Sequence, residues 1–285
     1  MALTINTNLS SLIVQKNLNS ATTSLNNAIE RMTTGYKINH AKDNAAGYSI
    51  ATTWKTQLAS LDVASDNAST GADMLTTLED TYSLISSHIQ RVRDLTEQAA
   101  NGTYGSESLK AIQSEITARL EEVNRISANA EFNGLKMMDG SIKNDISLQV
   151  GLYSAGSSQI TLNKGLFAKA DVNSLFGEDI TNVASKCSGL TKGTTASSML
   201  DKIDGVIKTI SERTTTLGSA QNRIESAVES ISVQTENLTS SLSTLRDADV
   251  AEESSSYIKA QILQQASATL LATANQAPSI ALNLI

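Results

Sequence analysis

Proline occurs only once in the 285 residues, at Pro278, so no ring interrupts the earlier chain where helices would run on. Long helices are therefore permitted. Cysteine is equally scarce, and Cys187 alone excludes an intrachain disulfide and has no second Cys or nearby His at metal-ligand spacing. The plain expectation is a stray thiol in a variable segment. Aromatic residues make up 4% of the chain, with three Phe and one Trp, which suits narrow helical seams better than a thick globular core. No Lys/Arg block is present and the net charge is −7, so nothing suggests neutralisation of nucleic-acid phosphates. No stretch approaches the ~18 apolar residues of a membrane span. The start, Met1-Ala2-Leu3-Thr4, lacks the basic and apolar regions of a signal peptide, which implies a cytoplasmic protein or one exported without cleavage.

What the chain does have is heptad periodicity. Stepping by four and three through residues 203–245 meets Ile203, Ile207, Ile210, Thr214, Leu217, Gln221, Ile224, Val228, Ile231, Thr235, Leu238, Leu242 and Leu245. A 3.5-residue repeat held this long predicts one helix of about 65 Å that supercoils against partners. A second long helix is predicted over residues 47–100, on a stripe from Ala51, Trp54, Leu58 and Leu61 to Val92, Leu95 and Ala99. Asn101-Gly102-Thr103 then supplies a turn. A third helix follows over residues 106–130 on Leu109, Ile112, Ile116, Leu120, Val123 and Ile126.

Between residues 145 and 162 the period falls to two, with Ile146, Leu148 and Val150 alternating with polar residues before Ile160-Thr161-Leu162. This predicts a β-hairpin with a longish loop. Residues 165–198 are rich in Gly, Ser, Thr and Lys without a sustained period, so a surface connection of moderate order is expected. Each end carries a shorter, Ala-rich seam: Val14, Leu18, Ala21, Leu25, Ala28 and Met32 on one side, Leu263, Ala266, Leu270, Ala274, Ala277, Ala281 and Leu284 on the other. Such helices are marginal alone, and should order fully only when many copies stack.

Enzymatic motifs are absent: there is no HExxH pair, Gly-rich phosphate loop or nucleophile elbow. His40 and His88 lack ligand-spaced neighbours, and Glu121-Glu122 and Glu252-Glu253 read as solvated helix faces. No catalytic, cofactor or metal site is expected. One charged cluster stands out, Gln90-Arg91-Val92-Arg93-Asp94-Leu95-Thr96-Glu97. Its simplest reading is a solvated face with Arg91–Asp94 and Arg93–Glu97 pairs worth a few tenths of a kcal/mol each.

Three sets of residues carry a family resemblance. At the N-terminal end they are Ile5-Asn6-Thr7-Asn8, Ala28-Ile29-Glu30-Arg31-Met32-Thr33-Thr34-Gly35, Ile38-Asn39 and Ala41-Lys42-Asp43-Asn44-Ala45-Ala46-Gly47. Phe132-Asn133-Gly134 forms the second set. At the C-terminal end they are Arg246-Asp247-Ala248-Asp249, the run from Lys259 through Gln261 and Gln265 to Ala266, and Ala274-Asn275-Gln276-Ala277-Pro278. Together they resemble bacterial flagellin over roughly residues 1–165 and 201–285.

The resemblance implies a mainly α fold: a long-helix coiled-coil rod with a small β-hairpin, its N- and C-termini paired in an inner helical layer. Residues 1–43 and 246–285 would form that inner layer, 44–165 and 201–245 the rod, and 166–200 a short connection where relatives carry outer domains. The inner seam would use Val14, Leu18, Leu25, Met32, Leu263, Leu270 and Leu284. The implied partners are other copies of the chain, hook-associated and filament cap proteins, an export chaperone on the C-terminal helix and, for the monomer, the Toll-like receptor for flagellin. By the same resemblance Gln90, Arg91, Leu95 and Glu115 would contact that receptor and neighbouring subunits. The implied location is the extracellular filament, reached through the flagellar type III system. A hook-filament junction protein is the alternative, whereas an enzyme-bearing relative would need a catalytic insert that the 166–200 gap does not supply. Export without cleavage predicts that N-terminal sequencing of secreted protein starts at Met1 or Ala2; a start further inside would contradict it.

Overall fold

A computed structural model describes residues 8–154, 156–190 and 196–282, with the backbone alone for 277–282. The motif residues Ile5, Asn6 and Thr7, the seam residue Leu284, and the side chains of Ala277 and Ala281 lie outside the described residues. The chain divides into two compact units, one of Met1–Leu58 with Glu236–Ile285 and one of Ala59–Thr235. It is mainly α, as the periodicity predicts.

In the first unit, α1 spans Leu9–Thr34 and α7 spans Val250–Leu282. Asn8 caps α1, its side chain accepting from the Ser11 amide, and Gly35 ends the helix at φ 73°, where a Cβ would be strained. The connector after Gly35 is clasped to the chain before α7. Tyr36 and Asp247 form an isolated antiparallel bridge, the Lys37 amide donates to the Arg246 carbonyl at 2.7 Å, and the Arg246 guanidinium lies 4.2 Å from the Tyr36 ring centroid. His40 is not helical but sits in this connector, 2.7 Å from Glu30.

In the second unit, α2 (Ala45–Ala100 in full), α3 (Ser106–Asn129) and α6 (Ala196–Arg246 in full) supply the core. Their predicted stripes are the buried faces: Leu61, Leu75, Leu78, Tyr82, Ile85, Ile89 and Val92 on α2, Ile112, Ile116, Leu120 and Val123 on α3, and Ile203, Ile210, Leu217, Ile224 and Ile231 on α6. One polar member of the α6 seam bonds across to α2. Gln221 donates to Glu79 of α2 at 2.9 Å, which satisfies a half-buried amide that an apolar seam would leave unpaired.

The expected hairpin is β3 (Ile146–Gln149) paired antiparallel with β4 (Gln159–Leu162), Leu148 facing Ile160 across the ladder. Leu148 seats against α2 at Gly71, where an added Cβ would come within 2.4 Å of its Cδ1. A glycine in mid-helix costs stability, and here it makes room for the strand. A second hairpin lies outside the period-two segment: β1 (Glu131–Phe132) and β2 (Leu135–Lys136) flank Asn133 at φ 50° and Gly134 at φ 81°. Asn-Gly between short strands is the favoured two-residue turn, so the signal was there to be read.

The largest correction falls on residues 165–198, expected to be a surface connection. The segment holds a 3-10 turn at Lys164–Phe167 and two short helices, α4 (Val172–Phe176) and α5 (Ile180–Cys187). It buries Leu166, Phe167, Ala170, Val172, Val183, Ala184 and Cys187. The apolar residues are too few and too unevenly spaced for a period, yet Asp171 caps α4 and Gly177 ends it in the left-handed region. Tyr82 donates from its hydroxyl to the Leu166 carbonyl at 3.0 Å, and Arg213 of α6 donates to the Ala168 carbonyl at 3.3 Å, tying the segment down from both long helices. Glu178 accepts from both Lys186 and Lys202, which holds its carboxyl below the usual range.

Cys187 is accordingly a core residue, and burial raises its thiol pKa. Phe167→Ala should lower stability by about 3–5 kcal/mol in thermal or urea unfolding, as loss of a fully buried ring does elsewhere. A thiol reagent at neutral pH should label Cys187 at the rate of unfolding, because a buried, protonated thiol is a poor nucleophile. The depressed Glu178 contributes stability that is present above its ordinary value of 4.5 and is lost as pH falls through the lower, folded value. Glu178→Gln should therefore flatten the acid limb of a stability-versus-pH curve.

Candidate functional site

Two surfaces on different units concentrate the features that matter. The first is the α1–α7 pair, whose helices run antiparallel with residues early in α1 meeting residues late in α7. The Asn8 amide donates to the Ala274 carbonyl at 2.7 Å, Ser11 donates to the Asn275 side-chain oxygen at 2.7 Å, Gln264 donates to Thr22 at 3.2 Å, and Arg31 pairs with Glu253 at 3.1 Å.

On α1 the seam follows the expected heptad, with Ala21 and Ala28 buried and Val14, Leu18 and Leu25 half-buried. Met32 departs from it and is exposed, while Arg31 beside it is half-buried and reaches Glu253 of α7. On α7 the seam toward α1 shares Ala274 with the expected stripe but otherwise departs from it among the described residues. It runs through Glu253, Tyr257, Ala260, Gln264, Ser267, Leu271 and Ala274, while Leu263 and Leu270 are 49% and 56% exposed. Two stripes of the same spacing lie about 100° apart on this helix, and the one with partners on α1 is the more polar. Glu253, read as solvated, is 9% exposed.

Pairing through small and polar residues leaves large apolar side chains outward. Leu9, Leu12, Ile13 and Ile29 on α1, and Ile258, Ile262, Leu263 and Leu270 on α7, are all exposed. Large apolar side chains left in water in such number mark an interaction face.

The second surface is the charged cluster on α2. Arg91 does not turn to Asp94; its guanidinium lies 2.9 Å from Glu115 on α3, where Arg119 also approaches. Arg93 keeps the expected Glu97 partner at 3.2 Å and adds Asp204 of α6 at 2.6 Å, an ion pair that raises the Arg93 pKa and lowers that of Asp204. Gln90 and Arg91 are exposed, but Leu95 is 2% exposed and belongs to the core. Leu95 therefore does not share their outer face, since it lies on the buried stripe with Val92 and Ile89. The exposed apolar residue beside the cluster is Leu84, one heptad before Arg91 on nearly the same face and overlooked by the sequence reading.

His88 is half-buried, and its Nδ1 has no partner among the described residues. Among those residues no group of three or more His, Cys, Asp or Glu is placed to hold a metal ion, and no helix is long and apolar enough to cross a membrane.

Comparison with known proteins decides the family. The model for the bacterial flagellin N-terminal helical region matches residues 5–143, and that for the C-terminal helical region matches residues 200–285. The chain belongs to the bacterial flagellin family. A flagellin of Xenorhabdus nematophila is 37% identical over the whole of both chains. The phase 1 flagellin of Salmonella naestved is 44% identical over 58% of this chain and 32% of its own length. In fold alone, a flagellar hook-associated protein structure from Vibrio parahaemolyticus covers 72% of this chain and 100% of its own at a TM-score of 0.61, with 10% identity. Membership identifies a structural filament protein with a role in motility rather than an enzyme.

The two leucines make the sharpest local test. Leu95→Ala should lower stability by about 2–5 kcal/mol through a core cavity, whereas Gln90→Ala and Leu84→Ala should stay within about 0.5 kcal/mol, all measured by denaturant unfolding.

Proposed function

We propose that this flagellin is the repeating subunit of an extracellular flagellar filament, with residues 1–43 and 246–285 forming its inner layer. The reading is carried by the large apolar side chains of α1 and α7 that the single chain leaves in water. A second copy, presenting the same face, would take that surface out of water at about 25 cal/mol for each Å² buried. The intrachain α1–α7 contact fully buries alanines and polar groups rather than large apolar side chains, so these helices gain their full stability only when copies stack. Export proceeds through the flagellar type III system without cleavage, a cytoplasmic chaperone covers the C-terminal helix until then, and hook-associated and cap proteins bound the polymer.

Seeded polymerisation followed by electron microscopy tests the central claim. The full chain should grow long helical filaments with a rise in helical circular dichroism, and deletion of residues 250–285 should leave a soluble helical core that does not polymerise. Normal filaments from the truncated chain would remove the two-layer account. Failure of the intact chain to extend seeds would favour a hook-filament junction protein, a role with few copies.

A second reading concerns the monomer as ligand of the Toll-like receptor for flagellin. It is supported by the exposed Gln90–Arg91–Glu115 surface, with Leu84 as the accessible apolar contact and Leu95 holding α2 in place from below. Arg91→Ala should weaken binding of the purified monomer to the receptor's extracellular domain by about 1–2 kcal/mol, as a moderate hot spot does. Equal titration curves for wild type and Arg91→Ala would return the cluster to a solvated helix face.

A further inference from the structure

We propose that Arg31 and Glu253, with the Thr22–Gln264 and Ser11–Asn275 rungs, fix the register in which α1 and α7 pair. They thereby decide which apolar residues the pair presents to other copies. The inference rests on the filament reading and names the residues on which its geometry depends.

The apolar part of this seam has little power to set a register. Its fully buried apolar positions are Ala21, Ala28 and Ala260, and small residues at heptad spacing can be exchanged for one another by a seven-residue slip. Such a slip would displace one helix by about 10 Å along the other. It would still bury alanines, but it would misplace the outward Ile258, Ile262, Leu263 and Leu270 relative to Leu9, Leu12 and Ile13.

The polar groups discriminate because each has one partner. Glu253, Gln264 and Asn275 follow one another at eleven-residue intervals on α7 and meet Arg31, Thr22 and Ser11 in reverse order on α1. In a slipped pair every one of these bonds is broken. The Glu253 carboxylate suffers most, since its side chain is only 12% exposed where Arg31 is 39% exposed. An enclosed carboxylate without its cation is costly, whereas the arginine can turn to water. Polar seam residues that specify register at some expense of stability are the best-attested use of such groups.

The asymmetry separates the two partners experimentally. Arg31→Met strands a buried charge and should reduce seeded filament yield more than Glu253→Leu does. The double change Arg31→Met with Glu253→Leu removes both charges, and should restore helical content while losing register.

Register is read by oxidative cross-linking in the full-length chain with Cys187→Ser as background, before and after seeding. One chain carries Thr22→Cys with Gln264→Cys, which are in contact in the native register. Two others pair Thr22→Cys with Tyr257→Cys or Leu271→Cys, one heptad to either side. With Arg31 and Glu253 intact, the 22–264 cross-link should exceed both slipped ones by roughly tenfold, a preference of about 1.4 kcal/mol. In the Arg31→Met/Glu253→Leu background the three should become comparable. Exclusive 22–264 cross-linking in that background overturns the inference, as does the absence of the 22–264 product from the intact pair in both states. Filament growth by the parent chain is scored separately, so a failure of the filament reading is distinguishable from a failure of the register claim.

Discussion

Burial of one continuous apolar stripe along α2 is the constraint from which the second unit follows. Leu61, Leu75, Leu78, Tyr82, Ile85, Ile89, Val92 and Leu95 form a single face with almost no exposure, and water must be kept from all of it. Stripes on α3 and α6 are placed to cover such a face, and the 164–187 segment adds Phe167 and Cys187 to the same buried interior. Arg213 and Tyr82 secure that segment through its own carbonyls, so its backbone polar groups are paired rather than stranded.

The first unit obeys the opposite logic. Its helix pair buries alanines, a serine and the Glu253 carboxylate, half-buries Leu18, Leu25 and Leu271, and turns Leu9, Leu12, Ile13, Ile258, Ile262, Leu263 and Leu270 outward. A protein that functions alone would invert that arrangement, because exposed apolar surface invites association. In the proposed polymer the inversion is useful, because the outward leucines and isoleucines are the surface that contacts between copies would cover. The clasp of Tyr36, Lys37 and Arg246 holds the two chain segments leading into the pair beside one another.

The charged cluster shows why proximity in sequence is an imperfect guide to a surface. Gln90, Arg91 and Leu95 lie within two turns, yet four residues along a helix also span the boundary between its wet and dry faces. Arg91 finds its carboxylate on α3 rather than on its own helix, its Nε and Nη2 both reaching Oε1 of Glu115. Exposed pairs of this kind contribute little to stability, which leaves their side chains available for recognition.

Periodicity by itself determined the three long helices, their buried stripes and the β3–β4 hairpin, because a 3.5- or 2-residue repeat sustained over many residues admits one arrangement of apolar groups. Asn-Gly at 133–134 also held the β1–β2 turn in plain view. The tertiary structure alone decided the rest. Residues 165–198 bury a core through irregularly spaced Leu166, Phe167, Val183 and Cys187, which no period can register. On α7 two stripes share one spacing, and only the partners offered by Arg31 and Thr22 select Glu253 and Gln264 for the inside and leave Leu263 and Leu270 outside. Heptad spacing defines a face on a helix, but which neighbour meets that face depends on groups distant in sequence.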